Sequence, residues 1–160
     1  MRAARGLLLA ALVHAACVGG DDGDDASAGE APDFPENYAD DYVEVRDCRG
    51  SGDHDLHTIR ILADPAALAP YQDRGAPFPV GAVVLKEEYE FGDLECAGPI
   101  VQWTVMRRLA PGSAADNLDW AWQRVDPQRQ VVDSDAPRCV GCHQGCGAAP
   151  DGYEGTCAVP

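Results

Sequence analysis

Apolar and polar residues alternate with period two through much of the chain between Tyr42 and Val132, the pattern of half-buried strands. Tyr42-Val-Glu-Val-Arg46 opens the series. Thr58-Ile-Arg-Ile-Leu62 follows, with Ile59 and Ile61 on one face and Thr58, Arg60 and Leu62 on the other. Val80 to Phe91 is the longest run: Val83, Leu85, Tyr89 and Phe91 share a face, opposite Ala82, Val84, Lys86 and Glu88. Ile100 to Leu109 sets Val101, Trp103 and Val105 against Met106, and Asp119 to Val125 sets Trp120 and Trp122 against Ala121 and Val125. Gln130 to Val132 reads as a last short strand. Helix is scarce. Asp64 and Pro65 form an N-cap and first-turn pair that opens a helix to about Arg74, with Gly75 to end it. A second helical turn is expected around residues 139–143. The pattern predicts an α+β fold, mainly antiparallel sheet with short helices.

The first 37 residues break this rhythm. Met1 to Arg5 is basic, and Gly6 to Ala16 is an apolar run of 11. That is too short to span a bilayer and suits a signal peptide, residues 1–16. The small pair Ala15-Ala16 precedes Cys17, so cleavage there leaves a cysteine for lipid. His14 departs from the leucine that lipoprotein signals prefer, which keeps plain secretion open as the alternative. Residues 17–37 are poor in apolar side chains, and nine acids fall between Asp21 and Asp41. Such a segment is expected to be a disordered, self-repelling tether. Residues 38–160 then form one domain. The chain carries −15, and losing residues 1–16 removes two arginines and no acid, leaving −17. So acidic a surface excludes nucleic-acid binding and favours a basic protein partner. The expected location is outside the cytoplasm of a bacterium, in the periplasm or held at the outer membrane by an N-terminal lipid.

Cys139-Val140-Gly141-Cys142-His143 carries the chemistry. C-x-x-C-H is the attachment spacing of c-type haem: each sulfur adds to a vinyl group, and the histidine ligates the iron. Three alternatives compete. A thioredoxin-like pair needs a βαβ setting, which is missing. Half of a zinc site needs two more ligands, for which Cys146 and Cys157 are candidates. A disulfide within C-x-x-C has poor geometry. An exported chain favours haem c, one per chain. The seven cysteines then divide into one lipid anchor (Cys17), two thioethers (Cys139, Cys142) and two disulfides, Cys48–Cys96 and Cys146–Cys157.

Three blocks in order, residues 58–65 (TIRILADP), 78–88 (FPVGAVVLKEE) and the C-x-x-C-H motif, make the chain resemble the cytochrome P-460 family from about Tyr38 to the end. The resemblance implies an antiparallel sheet around a five-coordinate haem, commonly in a homodimer. Its enzyme members oxidise hydroxylamine and its other members bind nitric oxide. It places Lys86 where the enzyme branch bonds a lysine to the porphyrin edge, and Arg60 where the family has a distal-pocket arginine. It also implies a distal acid shortly before the haem motif, for which Asp133 and Asp135 are the nearest candidates. One observation stands apart from the resemblance: Lys86 is the only lysine, against 11 arginines. A guanidinium stays protonated, so the one amine sits where a nucleophile would be needed.

His54, His57 and Met106 are the remaining candidates for a sixth iron ligand. The histidines lie in or beside a polar turn and read as surface residues; Met106 reads as core. With none of them on the iron, the haem is open to a small nitrogen compound. The readings are hydroxylamine oxidation with electrons passed to a partner protein, nitric-oxide binding without turnover, and plain electron transfer.

Overall fold

The computed structural model of the protein describes residues 29–147 and 152–160. The expected signal peptide, Cys17 and the first part of the acidic tether lie outside the described residues.

Six antiparallel strands form a single meander in chain order: β1 Val43–Gly50, β2 Thr58–Ala63, β3 Val83–Tyr89, β4 Ile100–Arg108, β5 Trp120–Val125 and β6 Val131–Ser134. Two short helices interrupt it, α1 Leu68–Asp73 between β2 and β3 and α2 Pro137–Gln144 after β6. Asp64 and Pro65 start a turn rather than the helix itself. The Asp64 carboxylate accepts the amide of Ala67 at 2.6 Å, and α1 follows. Arg74, not Gly75, closes the helix in a left-handed conformation (φ 51°).

Residues directly opposite one another in an antiparallel ladder share a face. Arg46, Ile61, Lys86, Thr104, Arg124 and Asp133 therefore form one row across all six strands. Arg49, Ile59, Glu88 and Gln102 form a second row on the same face. Ile61, Val84, Met106, Trp120 and Trp122 give this face its apolar part, covered by Tyr71 of α1, Phe78 and Val140 of α2. The opposite face packs Leu62, Val83, Leu85, Trp103, Val105 and Val125.

Phe34 and Tyr38 cover that second face, so the expected tether ends earlier than residue 37. Phe34 is 4% exposed, its ring 5.6 Å from that of Trp103, with the Arg129 guanidinium 4.3 Å over it. Asp33 pairs with Arg107 at 2.7 Å. One aromatic in a polar segment is enough to dock it where an apolar face waits.

Cys48 and Cys96 are bonded, with Cα atoms 5.7 Å apart, as are Cys146 and Cys157 at 5.0 Å. The first ties edge strand β1 to the turn after β3 across a separation of 48 residues. By loop-closure entropy it stabilises by about 4 kcal/mol. Replacing Cys48 and Cys96 with serine should lower Tm by roughly 10–20 °C in calorimetry. An unchanged Tm would show that the rest of the fold already restricts this loop.

Candidate functional site

A cavity of about 540 Å³ lies between the Lys86 face of the sheet and α2. It falls in the ~300–1,000 Å³ range of ligand and cofactor sites. Pro137 stands at the start of α2, where its missing N–H costs nothing. Residues three and four apart share a helix face, so Cys139, Cys142 and His143 line the cavity together. Val140 packs into the apolar cluster and anchors the helix.

The His143 ring sits edge-on to Trp122, centroids 4.7 Å apart. Nδ1 lies 2.5 Å from the carbonyl oxygen of Gly155 and donates to it. Burial pushes the imidazole down to about 4, so at neutral pH it is uncharged. With its proton held on Nδ1, Nε2 presents a lone pair. A backbone carbonyl fixing the far nitrogen is the usual support of a metal-ligating histidine. The cysteines Cys139 and Cys142 are unbonded. Arg49 also lines the cavity, and its Nη2 is buried without a hydrogen-bond partner. The cavity thus joins two thiols, a neutral imidazole and a guanidinium donor that would suit a carboxylate. That donor set fits a covalently held haem with its propionates.

Lys86 reaches the cavity from β3, and burial pushes its amine down to about 8 against the pull of Glu88. Its Nζ lies 2.5 Å from Nε2 of His54. Nδ1 of His54 and Nδ1 of His57 lie 3.1 and 2.8 Å from the two oxygens of Glu88. Gln102 and Thr104 donate to the same carboxylate at 2.6 and 2.9 Å. Glu88 is fully buried. Burial raises its pKa, but hydrogen bonds from His54, His57 and Gln102 outweigh that and hold it at about 2. The two histidines are therefore not surface residues; both are half-buried on this glutamate. The turn bearing them is pinned to α2 by Arg138, which pairs with Asp55 at 2.7 Å.

Because the folded-state pKa of Glu88 lies below the ordinary glutamate value of 4.5, its stabilisation is complete above that pH and is lost as pH falls towards about 2. Glu88→Ala also strands four half-buried donors, and leaving such groups unpaired costs about 1–3 kcal/mol each. Urea titrations at neutral pH should show that loss. As the pH is lowered through this window, the gap between wild type and variant should narrow. A constant gap would mean that the carboxylate's charge is not what holds the turn.

Arg60 does not reach the cavity. It pairs across the ladder with Glu87, one residue from Lys86 and so on the opposite face. There its Nε donates to Glu87 at 2.7 Å and its Nη2 to the Tyr89 hydroxyl at 3.0 Å. The distal role that resemblance gave to Arg60 is dropped; Arg49 of β1 and Arg124 of β5 are the strand arginines that line the cavity. Asp133 lines the cavity but pairs with Arg124 at 3.5 Å. Asp135 is spent on structure, accepting the backbone amide of Trp122 at 3.0 Å from a left-handed conformation (φ 50°). Met106 is core, 7% exposed, and its side also borders the cavity. Cys146 and Cys157, bonded to each other, are not available to complete a zinc site.

Sequence reasoning missed Glu88 and Arg49, and it read His54 as a surface residue. The signal for Glu88 was present: it continues the face of Ala82 and Val84, where an exposed acid has no place. No local signal singles out His54 within its turn.

The sequence profile of the family described as Cytochrome P460 matches residues 35–151, well over half of the chain. No curated protein matches. The chain belongs to the cytochrome P460 family, and so to the mono-haem cytochromes whose haem is covalently bound.

Proposed function

We propose that this protein is an exported c-type cytochrome acting on small nitrogen compounds, with Cys139 and Cys142 as thioether residues and His143 as iron ligand. The observation that carries the reading is the wall of α2: two unbonded cysteines and a neutral imidazole aligned on one cavity, facing the sole lysine. When bound, the haem supplies one-electron chemistry at iron for hydroxylamine oxidation or for nitric-oxide binding. The protein's part is to hold and shelter it. His143 is kept neutral and correctly turned by Gly155, Arg49 offers a donor to a propionate, and Trp122, Ile61 and Met106 keep the cavity apolar. Lys86 is the residue expected to bond to the porphyrin edge. The acidic surface favours a basic redox partner, and a lipid on Cys17 would hold the domain at a periplasmic membrane face.

One observation favours nitric-oxide binding without turnover. Asp133 is paired with Arg124 and Asp135 with the Trp122 amide, so neither stands ready to take a proton from substrate. Intact mass and an absorption spectrum of the purified protein test the proposal together. A mass raised by one haem, resistant to denaturation, is expected; a haem-free mass from exporting cells competent in haem attachment would sink it.

A further inference from the structure

Lys86, His54 and Glu88 stand in the order of a nucleophile, a base and the group that orients it. Lys86 Nζ to His54 Nε2 is 2.5 Å, and His54 Nδ1 to Glu88 Oε1 is 3.1 Å. Glu88 cannot turn away. His57, Gln102 and Thr104 take its other acceptor positions, and the carboxylate is fully buried. A carboxylate fixed in this way places the Nδ1 proton of His54 towards itself and leaves the Nε2 lone pair on the amine. Arg138 of α2 pairs with Asp55 of the same turn, so α2 and the turn that bears His54 are in contact at the cavity mouth.

We propose that His54, oriented by Glu88, is the general base that draws a proton from Lys86 and presents a free amine to the cavity. The inference rests on the reading of Lys86 as the cavity's reactive amine. In the step, one N–H bond of the ammonium breaks and one forms at His54 Nε2. Glu88 stays a carboxylate and stabilises the imidazolium, and the amine keeps its lone pair. No electrons are gained or lost. His54 touches the reacting atom, whereas Glu88 is a positioning residue.

The surroundings favour proton loss. Arg49 faces the amine from β1, and the Arg124–Asp133 pair of β5 and β6 borders the cavity with no large net charge. Cys139, Cys142 and His143 face it from α2, while β2 and β4 contribute Ile61 and Thr104, which carry no charge. Glu88 pulls hardest to keep the proton on the amine, followed by the thiols of Cys139 and Cys142, and it also holds His54. From the turn, Asp53 and Asp55 line the same cavity, Asp55 paired with Arg138 of α2.

The test compares His54→Gln with His57→Gln in the isolated full-length protein. Each removes one histidine from Glu88, but only His54 touches Lys86. Peptide mapping by mass spectrometry sorts Lys86 into free and haem-bonded. Where it is free, the rate of acylation by acetic anhydride is followed against pH. His54→Gln should slow it at least about tenfold near neutrality and displace the profile about one unit upward. His57→Gln should leave the profile in place. Where Lys86 is bonded, the bonded fraction should fall to a trace in His54→Gln and persist in His57→Gln. Equal losses in both variants, or none in His54→Gln, overturn the proposal; His54→Asn serves if the glutamine variant does not accumulate. Protein with no haem mass on Cys139 and Cys142 would end the cytochrome reading, while the acylation comparison still judges the base.

Discussion

Changing Cys139 and Cys142 together to serine, in a Lys86→Ala background that removes the other expected covalent link, should leave a protein with no haem surviving denaturation. Each sulfur makes one thioether, and a serine hydroxyl at neutral pH is not a comparable nucleophile. His143 is untouched in that variant. Its Nε2 lone pair and the apolar walls around Trp122 and Ile61 can still bind haem, but only reversibly. The expected readout is haem stain in a native gel and none in a denaturing one. Single changes should retain one bond and a shifted absorption band. His143→Ala should do the reverse: covalent haem retained, with an altered axial-ligand signature. Haem stain that survives denaturation in that triple variant would require attachment elsewhere, and the assignment of α2 would be withdrawn.

Much of the sheet is visible in the alternation itself. Ile59 and Ile61, Val84 and Lys86, Trp120 and Trp122 alternate as a half-buried strand must, and each keeps its expected face relative to its own strand. What alternation cannot supply is how two strands align. The family resemblance set Arg60 and Lys86 on one cavity, yet the ladder pairs Ile61 with Lys86 and Arg60 with Glu87. A register different by one residue would have reversed the answer, because the side-chain period is two. Arg49 was lost for the same reason, since β1 is irregular and shifts register twice along β2. His54 lies in a turn, where no periodicity speaks. It becomes part of the site only because β2 and β3 align Ile59 with Glu88 and bring the turn over that carboxylate. The two disulfides were legible because seven cysteines, once haem and lipid are assigned to three of them, leave little choice.

Lys86→Ala should keep haem on Cys139 and Cys142, restore an ordinary c-type spectrum where wild type has a red-shifted ferrous Soret band, and lose hydroxylamine oxidation while keeping nitric-oxide binding. Charge and reactivity are separable at this position. Lys86→Arg retains a cation and its donors but has no amine to deprotonate, since a guanidinium stays charged. If Lys86 serves only as a buried cation opposite Glu88, arginine should recover most of the wild-type behaviour. If it serves as a nucleophile, arginine should behave as alanine does. The depressed pKa of about 8 fits the second case, because burial keeps a usable share of the amine unprotonated near neutrality. The sequence points the same way: a chain that spells its other 11 basic positions as arginine has a lysine only here, on a cavity wall 2.5 Å from a histidine nitrogen. A wild-type protein with an ordinary spectrum and an unmodified Lys86 peptide would decide for nitric-oxide binding. The paired Asp133 and the occupied Asp135 would then be the reason turnover is missing, since neither stands free to accept a substrate proton.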